Sequence, residues 1–168
     1  MKNIKIIMLW LISHLFMNLL EAQNNLPLVQ DETVLSFTAA QNEIITLAID
    51  KNSNSIIFKH ESKENNILFP KKSESKVLPF IYSFYLRGGA DNNEGMDLNY
   101  VQFTLDGVKY VLYETSHYGD KNINVGLKTL DQNNNIISDK KAQPGTVKGT
   151  LIGLRDSNLV QHGEELFD

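Results

Sequence analysis

The chain has 168 residues, 10 glycines, no cysteine and a formal net charge of −4. The missing thiols exclude a disulfide framework, a thiolate metal site, a cysteine nucleophile and a cysteine-borne lipid anchor. The mildly acidic balance argues against nucleic acid, whose phosphates need a positive face, and against docking on anionic lipid.

The first element is a leader. Lys2 and Lys5 precede an apolar run from Ile6 to Leu20, and Ala22 gives way to Gln23-Asn24-Asn25. A basic start, a short apolar stretch and a small residue at a polar boundary predict a signal peptide over 1–22, cleaved on export. The mature protein is therefore expected to be secreted or periplasmic. Leu20 departs from the small-x-small cleavage pattern, which leaves the cleavage site open. A retained anchor is the rival reading. The run is shorter than the ~20 apolar residues of a bilayer span, and His14 and Asn18 interrupt it. No membrane insertion is expected after cleavage. Loss of Lys2, Lys5 and Glu21 moves the formal charge from −4 to −5. The only Trp leaves as well, so the core rests on Ile, Leu, Val, Phe and Tyr, a set that favours strands.

Short apolar runs bounded by turn residues predict strands over 33–39, 43–50, 55–60, 66–69, 79–87, 98–106, 108–115, 122–130, 134–138 and 146–154. Period-two alternation without a long 3.6-period stretch predicts an all-β fold. The expectation is a single antiparallel β-sandwich or barrel of about 8–10 short strands over residues 23–168. Lys71-Lys72-Ser73-Glu74-Ser75-Lys76 could be a linker between two domains. An exposed loop within one domain is the better reading, because the segment before it is too short for a free-standing sheet without staples.

Asp106-Gly107 predicts the sharpest local unit, a hairpin with a type I′ turn. A two-residue loop sets Leu105 opposite Val108, Phe103 opposite Tyr110 and Val101 opposite Leu112, one apolar face. The other face pairs Thr104 with Lys109, Gln102 with Val111 and Tyr100 with Tyr113, and is expected to be half-exposed. In the preceding strand Phe80, Tyr82, Phe84 and Leu86 point one way, and Ile81, Ser83, Tyr85 and Arg87 the other. Tyr85, Arg87, Tyr100 and Tyr113 then form a candidate binding face, with Tyr118 in the loop beyond. Tyrosine with arginine suits recognition, since the ring buries area while the hydroxyl keeps a partner. The competing account is ordinary strand packing.

Little else points to chemistry. His60, His117 and His162 have no second ligand at metal-like spacing, so no metal and no cofactor is expected. His60 shares a predicted side with Ile56 and Phe58 and reads as a partly buried structural residue. Asp91-Asn92-Asn93-Glu94-Gly95-Met96-Asp97 is rich in oxygen donors, yet counting from Asp91 puts Gln102 where an EF-hand loop needs its bidentate Glu. Arg87-Gly88-Gly89 is a weak anion nest. Gly145, Gly149 and Gly153 suggest bulges or close strand contacts. Glu114, His117 and Asp120 are the first suspects for a hydrolytic site, although Ser116 and His117 would point apart on a strand.

In size, leader and strand content the chain is similar to periplasmic lysozyme inhibitors. Their cysteine pair and Ser-Gly-x-x-Tyr loop are absent; Ser116-His117-Tyr118-Gly119 has related residues in another order. That resemblance implies architecture, not function. The leading expectation is an exported, non-catalytic binding module for a protein or glycan of the bacterial envelope or outside it, an inhibitor or immunity-type protein being one version. The alternatives are an envelope hydrolase assembled in three dimensions and a structural or assembly component. Oligomeric state is not legible.

Overall fold

A computed structural model describes residues 31–70, 78–88, 95–117 and 123–167. The predicted leader over 1–22, the 71–76 stretch, Tyr118, Asp120 and most of the acidic loop at 91–94 lie outside them. Residues 31–168 make one compact unit, and the regular structure of its described part is strand except for two 3-10 turns.

The strands are β1 (Glu32–Thr38), β2 (Ile44–Asp50), β3 (Ser55–Glu61), β4 (Ile67–Phe69), β5 (Ile81–Arg87), β6 (Met96–Leu105), β7 (Val108–His117), β8 (Asn124–Leu130), β9 (Ile136–Lys141), β10 (Lys148–Gly149) and β11 (Gln161–His162). They form two sheets, in the orders β10-β1-β2-β3-β4 and β11-β5-β6-β7-β8-β9. The first nine fall on the predicted runs. The predicted strand over 146–154 does not form as such: it is the two-residue β10 followed by a 3-10 turn at Ile152–Leu154. Backbone geometry explains the break. Gly149 holds φ +80, and a Cβ there would lie 2.1 Å from the Val34 carbonyl. The chain thus meets β1 where its register slips between Thr33 and Leu35, and then turns away.

The Asp106-Gly107 hairpin forms as the sequence predicts. Both turn residues have positive φ, 51° and 79°, and the register runs Leu105 to Val108, Phe103 to Tyr110 and Val101 to Leu112. Period-two alternation then directs Phe103 inward, where Phe58, Phe69, Phe80 and Tyr110 surround it with ring centroids 4.8–5.2 Å away. Phe58 and Phe69 belong to the first sheet and Phe103 and Tyr110 to the second, so one core draws on both. The sheets are also tied by charge. Glu43, just before β2, accepts from His60 of β3 at 2.9 Å and from Lys140 of β9 at 2.9 Å. The hydrogen bond from Lys140 lowers the Glu43 pKa below its usual value against the opposing pull of burial, and the His60 contact acts the same way.

Candidate functional site

The outer face of the six-stranded sheet is where the sequence places Tyr85, Arg87, Tyr100 and Tyr113. Register puts the four on that face: Tyr100 lies opposite Tyr113, and Ser83 opposite Tyr100. The expected half-exposed surface is nevertheless covered over its middle. After β11 the chain turns up at Gly163, where a Cβ would meet Ile81 and Ser83 at 2.7 and 3.1 Å, and crosses the sheet. Glu165 accepts from Gln102 of β6 and Lys109 of β7. Phe167 seats edge-on against Tyr100 with centroids 5.5 Å apart, and its carbonyl accepts from Lys128 of β8 at 2.5 Å. Tyr100 is 0% and Tyr113 6% exposed, within a second apolar cluster of Leu98, Val111, Leu130 and Phe167.

Tyr113 is held on its far side as well. It lies opposite Gly126, where a Cβ would sit 2.3 Å from its hydroxyl. The absent side chain lets the ring cross β8 and donate to Asp139 at 2.8 Å. Burial, with Asp139 adding to it, pushes the Tyr113 pKa well above the phenol value. These two tyrosines are packing residues in the isolated chain. Their expected openness is corrected by a tail far along the sequence.

The inner face carries a polar network at the same end of the sheet. The Tyr82 hydroxyl donates to Asn99 at 2.6 Å, and the Asn99 amide donates to Asp97 at 2.7 Å. Arg155, just after the 3-10 turn, reaches Asp97 and donates to Asn99 at 3.0 Å. Burial works against the Arg155 charge, but Tyr82 and Asp97 outweigh it and the net shift is upward. Tyr82, desolvated, shifts upward too. Glu114, also on this face, takes the Thr150 hydroxyl at 2.9 Å and the Leu151 amide at 2.6 Å. Each side chain has a structural partner, which fits a network that fixes the 150–155 segment under the sheet, although the buried Arg155 Nε itself has none among the described residues.

Beyond that network the end of β5 is open on both faces. Phe84, on the inner side, stacks on Tyr82 at 5.9 Å with Arg155 above its ring at 5.1 Å, and still exposes 44%. Tyr85 exposes 40% on the outer side and Leu86 57% on the inner; Arg87 follows, exposed. β6 runs along one edge of β5 for its whole length. On the other edge β11 pairs only with Ile81 and Tyr82. Among the described residues no strand is registered against Ser83–Leu86 there. Of the sequence-predicted face, the structure therefore leaves Tyr85 and Arg87 at the surface and adds to the exposed end Phe84 and Leu86, which alternation places on the opposite side.

Of the suspected hydrolytic residues, Asp120 lies outside the described residues, and Glu114 and His117 are on opposite faces of β7. Glu114 shares a face of β7 with Leu112, whereas His117 lies opposite Met96 on the other. The Glu114 carboxylate is already engaged as described. Among the described residues no group of His, Asp and Glu is placed to hold a metal ion. His60 lies on the inner side with Ile56 and Phe58, as its spacing predicts.

No protein-family model, no curated protein and no solved structure matches this chain.

Proposed function

We propose that the chain is an exported, non-catalytic binding module, a β-sandwich scaffold that engages a protein or glycan of the bacterial envelope through the end of β5. One observation carries the reading: Phe84, Tyr85 and Leu86, three consecutive large apolar side chains, stand exposed beside an uncapped edge on a sheet whose other aromatics are covered. Isolated exposed hydrophobics are ordinary, but a contiguous group on a rigid strand is the pattern of contact sites. The rings add area at little conformational cost. Inhibition of another envelope protein is the specific form this would take.

A protein occupies this surface better than a glycan does. The strand offers backbone donors and acceptors on its edge as well as side chains on both faces, and an extended polypeptide matches both. The test is capture from envelope extracts with wild-type protein and with a Tyr85→Ser, Leu86→Ser double variant. The reading expects a captured partner that the double variant loses while its circular dichroism stays unchanged. A full set of partners retained by the variant removes β5 from the interface.

A further inference from the structure

The backbone of β5 gives the edge a direction. Tyr82 presents its carbonyl to the Gly163 amide at 2.9 Å, on the side away from β6. Because backbone groups alternate between the two sides of a strand, Phe84 and Leu86 turn their N–H and C=O to that same side. Past the short β11, these four groups and the two exposed side chains form the open edge. The remaining sheet ends are blunted in familiar ways. β9 carries Asp139-Lys140-Lys141 beyond its exposed Ile136 and Ile137, β4 is three residues long and runs into Pro70, and β10 is two residues long with Lys148. The β5 end has neither a charge nor a proline from Ser83 to Leu86.

We infer that this edge pairs antiparallel with the same edge of a second copy, joining two six-stranded sheets into one. The stretch is complementary to itself. Centred on Tyr85, an antiparallel copy sets Phe84 opposite the second copy's Leu86 and Leu86 opposite its Phe84, so that each pair of outward backbone groups exchanges two hydrogen bonds. Phe84 then lies beside a leucine on the inner side, and the two Tyr85 rings meet on the outer side. The second copy's Arg87 reaches the level of Ser83, where Gly163 already sits, and no like charges are opposed. Backbone pairing is therefore confined to residues 84–86, short of the point where Gly163 meets Ser83, so the tail is not displaced. This is an isologous, two-fold contact. A partner that adds its own strand to this edge would compete with the second copy, whereas one that binds the outer face around Tyr85, continuous across the two copies, would not.

The test uses the protein as its host processes it, in sedimentation velocity over a wide concentration range. The expected result is a concentration-dependent dimer. Leu86→Lys, which puts a charge on the edge, should weaken association on the order of tenfold or more. Phe84→Pro removes an N–H that faces away from β6 and should weaken it similarly while leaving the sheet paired. In wild type the Phe84 and Leu86 amides should exchange more slowly as concentration rises. A monomer at every concentration overturns the inference. So does a dimer that both folded variants retain, or one in which those two amides exchange at an unchanged rate. Loss of envelope capture in the Tyr85→Ser, Leu86→Ser variant speaks to the partner; dimerisation read in purified protein speaks only to this edge.

Discussion

β9 and β5 lie toward opposite edges of one sheet and meet their surroundings differently. At β9 the polar half of the strand is committed: Asp139 to Tyr113, and Lys140 to Glu43 across the gap between sheets. At β5 the chain's own tail supplies two residues of parallel pairing and then leaves for the outer face. Charge at Asp139-Lys140-Lys141 discourages strand addition along that half of β9, although the strand begins with exposed Ile136 and Ile137; from Ser83 to Leu86 the β5 edge has apolar side chains and outward backbone groups with no charge. The comparison teaches that exposure on this sheet is local. The same tail that covers Tyr100 stops short of Tyr85.

If that division is real, the covered region should be intolerant of substitution and the β5 end tolerant. Phe103→Ala removes the ring that four others touch and should cost about 4 kcal/mol in chemical denaturation. Glu114→Ala leaves the buried Leu151 amide and the Thr150 hydroxyl without their acceptor, and a loss of about 2–3 kcal/mol is expected by the same measurement. Phe167→Ala uncovers Tyr100 from the chain's end, where the tail can adjust, and should cost about 1–2 kcal/mol. It should also speed amide exchange at Gln102 and Val111 without touching the β5 edge.

The tie between sheets gives a pH signature. Because the folded Glu43 titrates below its ordinary 4.5, its contribution to stability is full above that value and is lost as pH falls through the folded pKa. Thermal unfolding should therefore show a steeper acid-side loss in wild type than in Lys140→Ala, since Lys140 is the main cause of the shift. The smallest effect on folding is predicted at the open end. Tyr85→Ser and Leu86→Ser should each change stability by no more than about 0.5 kcal/mol, while changing binding.

Much of the scaffold was legible in the residues. Alternation located β1 to β9, and Asp106-Gly107 determined a register that the structure reproduces pair for pair. The common face of Tyr100 and Tyr113 followed from the same parity. Their burial did not, because it depends on Phe167, more than fifty residues beyond Tyr113 in the chain. The signal available was slight: Phe167 is the only phenylalanine after Phe103. β11 is too short for any periodicity to register, so neither its pairing nor the tail's path could be read. Phe84 and Leu86 illustrate the converse. Parity sent them correctly to the inner side, but the cover ends before it reaches them, and where a layer ends is a property of two sheets together. Arg155 was missed for a related reason: an isolated arginine near the chain's end gives no hint that Asp97 and Asn99 will lie above it.

The central claim is that the molecule makes its contacts through Phe84, Tyr85 and Leu86. Hydroxyl-radical footprinting of the protein, alone and in envelope extract, measures this side chain by side chain. The account predicts that Tyr85 and Leu86 are reactive in dilute protein and become protected in extract, while Tyr100 and Tyr113 stay unreactive in both. Protection that falls elsewhere and leaves Tyr85 and Leu86 as reactive as before would contradict it.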